Sequence, residues 1–209
     1  MTIYEHTMVG INGALAAGLQ RRHGWQIIAL AGVAAILPDC DGLTILLGFH
    51  YYAEAHRLWA HNLVVTGLLA AIASAVAYRL DAFTRIQGWL AERWELFSIR
   101  GAPAERPTRG AGELCLWLAV GVLAAYSHLA MDIMFSAGKN LGIWGVALFW
   151  PFSNDSYAYP LVPWGDIGAT VIFAAAMFAM VRWPKRIRAI AAGSLLAVAA
   201  YMVVRGVFC

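Results

Sequence analysis

Residues 112–137, GELCLWLAVGVLAAYSHLAMDIMFSA, form an apolar run longer than the about 20 helical residues that cross a bilayer, yet its second half carries His128 and Asp132. Ionisable side chains inside such a run are costly in hydrocarbon, so each is a functional candidate by default. Four positions apart on a helix, the two point to one face and can offer an imidazole nitrogen and a carboxylate oxygen to one site.

Around this stretch the chain repeats the same pattern. Further apolar runs fall at about 27–47, 60–80, 165–182 and 188–208, which gives five strong spans. A sixth, from Ile3 to Leu19, is interrupted by Glu5, His6, Asn12 and glycines and ends at Arg21-Arg22-His23. With 61% apolar and 13% charged residues over 209 positions, the fold class is an all-α polytopic transmembrane bundle of about six helices forming one domain. Met1 to Leu19 lacks the basic start and short apolar core of a cleavable signal, so it is expected to belong to the mature fold.

The distribution of Lys and Arg sets the orientation. Of the 15, twelve fall in alternate connections (Arg21, Arg22, Arg79, Arg85, Arg93, Arg100, Arg106, Arg109, Arg182, Lys185, Arg186, Arg188), and Arg57, Lys139 and Arg205 fall near the others. The positive-inside rule then makes 20–26, 81–111 and 183–187 cytoplasmic and puts 48–58, 138–164 and the C-terminus outside. Segment 81–111 alternates charge with Trp89, Trp94 and Phe97 and reads as an amphipathic surface helix followed by a Pro/Gly loop. Segment 138–164, rich in Trp, Tyr and Pro, reads as an irregular loop in the interfacial aromatic belt, placed to act as a lid. Cys40, Cys115 and Cys209 have no CxxC spacing and read as small core hydrophobes. A net charge of +3 implies no nucleic-acid partner, and membrane lipids are the expected surroundings.

The remaining candidates gather on the outward side of this topology. Asp39 and Asp41 lie in Leu37-Pro38-Asp39-Cys40-Asp41-Gly42, where Pro38 and Gly42 can unwind the helix so that two carboxylates converge. His56 and His61 flank Arg57, with His56 in the entering loop and His61 expected one turn or more into the next span. His6 joins them if the first segment spans with its N-terminus outside. The proposed ligands are therefore His6, Asp39, Asp41, His56, His61, His128 and Asp132, with Asp41 alternatively a general base and Arg57 a holder of an anionic group. Arg57 could equally be an interfacial anchor. Carboxylates with imidazoles favour a divalent transition metal, one or two ions, zinc foremost with manganese, iron or nickel as alternatives. The chain contains no HExxH, which leaves thermolysin-like peptide hydrolysis without support.

The ordered series His6-Thr7-Met8-Val9-Gly10, LPDxD at Leu37 to Asp41, HRxxxH at His56 to His61, HxxxD at His128 to Asp132, and Trp150-Pro151-Phe152 resembles the YdjM family of inner-membrane metal-dependent hydrolases over about residues 1–155. The resemblance implies a bacterial inner-membrane helical protein with a hydrolytic metal site; the location of the cluster, beside the lipid, suits a lipid-like or phosphorylated amphiphile as substrate. Where that family commonly reads HRGxTHS, this chain has Leu58-Trp59-Ala60-His61-Asn62, a departure that bears on hydrogen bonds around the histidines. The mixed His/Asp set is also similar in ligand type to zinc-dependent phospholipase C. The rival readings are a metal-ion or proton-coupled transporter, a haem protein and a non-catalytic scaffold.

Overall fold

The computed structural model describes residues 1–93, 110–137 and 143–208. Within them the chain forms α1 (Ile3–Ala16), α2 (Leu19–His23), α3 (Trp25–Ala34), a 3-10 segment (Leu37–Leu47), α4 (Phe49–Ala55), α5 (Leu63–Leu80), α6 (Ala82–Arg93), α7 (Ala111–Met134), α8 (Gly168–Arg182) and α9 (Ile187–Phe208). No strand is present among the described residues, only two isolated bridges.

Helices α5, α7 and α9 are long and apolar enough to cross a bilayer, and α3 with the 3-10 segment, bent by 47°, would serve as a fourth span. The all-helical bundle expected from the sequence is present, with three or four spans by length and composition where the apolar runs suggested five strong ones and a weaker N-terminal one. At 14 and 15 residues α1 and α8 extend only about 21–23 Å, short of the roughly 30 Å hydrocarbon core. The outer surface is lipid-like all the same: Val64, Leu68, Ile72, Val76 and Leu80 form an exposed stripe at four-residue spacing along α5. Water would not tolerate a stripe that continuous on a monomer.

Short as it is, α1 is the centre of the bundle. It begins with a capping box in which Thr2 Oγ1 accepts from the Glu5 amide and the Glu5 carboxylate accepts from the Thr2 amide. The other Glu5 oxygen takes the Thr170 hydroxyl of α8 at 2.6 Å, and Asn12 accepts from Ser194 of α9 at 3.1 Å. Gly10 packs so closely on α3 that a Cβ there would run into the Ala31 carbonyl. At the opposite side α5 lies on α7, and Trp117 of α7 is enclosed by Tyr78 and Phe83.

The break after α3 has a definite cause. Pro38 has no N–H to continue the α-helix, and the Asp39 amide bonds Ile36 O in a 3-10 turn. That change leaves Ala35 O without its helical donor, and a side chain of α7 takes it instead, as described below.

The basic connections share one end of the molecule: Arg188 donates to Ala16 O at 2.9 Å and lies against Gly18, beside the Arg21 and Arg22 of α2. Arg205, at the other end, pairs with Asp166 at 3.1 Å. The amphipathic helix expected from residue 81 is present as α6, whereas Trp94, Phe97, Arg100, Arg106, Arg109, Lys139 and Cys209 lie outside the described residues. The cysteine expectation is corrected in part: Cys115 is exposed on α7 and Cys40 is only half-buried, because a thiol is compatible with a hydrocarbon surface as well as with a core.

Gly10→Val should overpack the α1–α3 contact and destabilise the protein by about 1–3 kcal/mol. Gly13→Ala, whose Cβ meets open space, should leave the thermal midpoint in detergent unchanged or raised. Equal midpoints for the two variants would contradict the close packing at Gly10.

Candidate metal centre

Four separate segments bring their polar side chains to one point. His128 and Asp132 come from α7, Asp39 and Asp41 from the 3-10 segment, His56, Arg57 and His61 from the turn between α4 and α5, and His6 from α1. All eight residues singled out in the sequence meet here, and every one has a polar contact of 3.5 Å or less to another.

His128 Nδ1 lies 2.7 Å from Ala35 O, the carbonyl freed by the Pro38 break, and so carries the proton it donates there. Its Nε2 is left with a lone pair facing the cluster. His61 is fixed in the same manner by Asp41, whose Oδ2 stands 2.7 Å from His61 Nδ1. The two Nε2 atoms are 3.1 Å apart. Asp39 Oδ1 lies 3.5 Å from His61 Nε2 and 3.4 Å from His128 Nε2, and Asp132 Oδ2 lies 3.5 and 3.4 Å from the same two atoms. The result is two triangles of ligand-type atoms that share the His61–His128 edge.

Those edges fit a metal. An ion held at about 2.0–2.1 Å in a tetrahedron keeps neighbouring ligand atoms about 3.3–3.4 Å apart. A third triad, His6, Asp39 and His128, has its atoms within 4.8 Å, as does Asp39 with His56 and His61. His6 stacks on His128 with ring centroids 3.6 Å apart; its Nε2 lies 3.2 Å from Asp132 Oδ1, and its Nδ1 is buried without a partner.

Asp41 stands slightly apart from the ligand-type atoms. Its Oδ1 lies 2.7 Å from His56 Nδ1, while its Oδ2 accepts from the Arg57 amide at 3.1 Å in addition to His61. Both oxygens are thus engaged by imidazole Nδ1 atoms. In a 3-10 turn of three residues, Asp39 and Asp41 are about 120° apart, which lets them address the two nitrogens of the single His61 ring. Asp132 divides its two oxygens: Oδ2 belongs to the triangle, and Oδ1 meets the Arg57 guanidinium at 3.2 Å and the Met1 amino group at 3.0 Å.

Arg57 has φ of 66°, a left-handed conformation that costs a non-glycine residue about 1–2 kcal/mol. That turn places its amide on Asp41 and its side chain on Asp132. Its Nη1 donates to Trp144 O at 2.7 Å, its guanidinium lies 4.9 Å from the Trp144 ring centroid, and its Nε is buried without a partner. The sequence reading missed Trp144 and Tyr52, which roof the cluster: Tyr52 stacks on His56 at 4.7 Å, and Trp144 meets His56 edge-on at 5.2 Å. Nothing in their spacing marked them among the many aromatics. The position expected for His61 is corrected too. It precedes α5, because Asn62 is the N-cap, accepting from the Val65 amide at 2.8 Å and donating to Leu58 O and Trp59 O. An asparagine in that place keeps the capping oxygen a serine would supply and adds two donors that close the turn.

Access is one-sided. His61, His128, Asp132 and Asp41 are 3% exposed or less at their side chains, while Asp39 at 21% and His56 at 12% open outward. The adjoining segment is apolar, with Leu43, Leu46, Leu47 and Phe49 exposed. The cluster sits at the molecular end opposite Arg188 and the α2 arginines.

These features define a polytopic integral membrane protein with a buried His/Asp cluster of metal-binding geometry. The chain belongs to the YdjM inner membrane protein family, whose model matches residues 1–208. It is accordingly an inner-membrane protein. Comparison with curated proteins and with solved structures gives no match in either.

Replacing Asp41 with Asn keeps its shape but weakens its hold on both imidazoles. Its metal affinity, read by competition with a chelator, should fall about 10–100-fold. Asn62→Ser should preserve affinity, and Asn62→Ala should destabilise the fold by about 1 kcal/mol through the lost cap. Unchanged affinity in Asp41→Asn would remove Asp41 from the site.

Proposed function

We propose that this protein is a membrane-embedded metal-dependent hydrolase acting on a phosphate or other ester of a lipid or amphiphile at the outer face of the inner membrane. The observation that carries the reading is the pair of triangles sharing the His61–His128 edge, with edges of 3.1–3.5 Å that suit a transition metal such as zinc.

In this reading His61, His128, Asp39 and Asp132 are the ligands, no more than three of them on any one ion so that a position stays open to water, with His6 available for a second ion beside Asp39 and His128. A bound metal of this kind polarises an ester oxygen and makes water a competent nucleophile near neutral pH. Asp41 positions His61 and His56 through their Nδ1 atoms; with both oxygens engaged, it suits that work better than taking a proton from water. Asp39, the most exposed carboxylate of the set, faces the entry side and is the better placed group to accept that proton. Arg57 contributes its unpartnered Nε to an anionic group, while Asp132 and the Trp144 carbonyl keep the guanidinium from swinging away.

Elemental analysis of detergent-purified protein should find one or two equivalents of a transition metal, lost in Asp39→Ala and His128→Ala while both variants still insert in the membrane. Phosphate-ester hydrolysis, assayed on phosphatidic acid in mixed micelles, should disappear with the metal. Absence of metal in the wild type, even after reconstitution with zinc and manganese, would refute the reading.

A further inference from the structure

Beneath the His/Asp cluster lies a cleft of about 260 Å³ between α1 and α7, with α3 at its floor and Leu195 of α9 at one edge. Its walls are small apolar residues, among them Gly10, Gly13, Ala17, Ala31 and Ala124, and its one polar side chain, Ser127, stands next to His128. Ser127 is already satisfied, donating to Ala124 O at 2.7 Å, so the cleft offers hydrocarbon and nothing else.

The cleft and the cluster are continuous along the same helix faces. On α7 the series Val120, Ala124, His128, Asp132 advances by four, so two cleft residues and two cluster residues form one row. On α1 the row is His6, Gly10, Gly13, Ala17, again one face. From Gly10 to Ala17 it runs about 10 Å toward the end that carries Arg188. A buried imidazole of which one nitrogen lacks a partner, His6, thus stands one turn above Gly10 at the junction. The site as a whole is polar at the top, with Arg57 available for an anion, and purely apolar below. Exposed Leu123 at the rim leaves the cleft open to the bilayer.

We infer that this cleft holds one acyl chain of a membrane phospholipid whose anionic head lies at the His/Asp cluster. That amphiphile matches the axis in polarity, sign of charge and orientation, and the surrounding bilayer supplies it. The assignment of the head rests on the hydrolase reading above; the binding of the chain stands on the cleft itself.

The test uses the full chain in vesicles of phosphatidylethanolamine and phosphatidylglycerol, with a fraction of phosphatidylglycerol carrying a diazirine midway along one chain. After irradiation, adducts mapped by mass spectrometry should concentrate on Val120, Leu123 and Leu195. Gly13→Leu, which fills open space without meeting another atom at Cβ, should lower them roughly tenfold, the order expected when about two methylenes lose apolar contact. Ala17→Phe should do the same from the far end, and metal content should be unchanged in both. Adducts spread evenly over the exposed faces of α5 and α9 and insensitive to both substitutions would mean annular lipid only and overturn the inference. Cleft adducts in a protein that binds no metal would sustain the acyl site while refuting the hydrolase reading, so the two failures are separable.

Discussion

Asp132 is buried in a bundle whose outer surface is hydrocarbon, and a carboxylate there is sustained only by cations and donors brought to it from other parts of the chain. Three come to its Oδ1: the Met1 amino group and His6 from the N-terminal segment, and Arg57 from the turn before α5. Much of the architecture serves this convergence. The α1 helix is threaded through the centre of the bundle although it is too short to cross a bilayer by itself, and its first turn is where His6 and the amino group meet Asp132. The Thr2–Glu5 capping box and the Glu5–Thr170 bond hold that turn in place.

Pro38 has a comparable reach. By ending the α-helical pattern it opens a 3-10 run of 11 residues, far longer than the usual three or four, and so changes the angular spacing of Asp39 and Asp41. The same break releases Ala35 O, which fixes the tautomer of His128 from 93 residues away. One backbone defect therefore sets two carboxylates and one imidazole together. The strained φ of Arg57 works on the other side, giving its amide to Asp41 and its guanidinium to Asp132.

The polar groups are distributed unequally along the bundle axis. The ionisable cluster occupies one end, and beneath it the walls of α1, α3 and α7 become glycine, alanine and valine, with Asn12–Ser194 and Ser74 paired locally. A conduction path would need polar groups continuing to the far end. A site that is polar at one end and apolar below it suits a molecule with the same polarity.

The sequence by itself determined the solvent and the helical class, and it named the ionisable residues that meet in the cluster. Apolar runs of bilayer length, the Lys and Arg bias and the rarity of charge inside those runs are local properties, readable without contacts. His128 and Asp132 were a pair from their spacing alone. Only the tertiary structure decided which atom of each residue does what. Asp41 turns both oxygens to imidazole nitrogens because His56 and His61 arrive from a turn whose shape depends on Arg57 and the Asn62 cap. Trp144 and Tyr52 become the roof because the segment carrying Trp144 is bonded back onto that turn, through Leu63 N to Leu148 O and Arg57 to Trp144 O. How closely α1 lies on α3 depends on Gly10, where a side chain would run into the Ala31 carbonyl. Distances between segments far apart in the chain are set by packing, and packing has no one-residue signature.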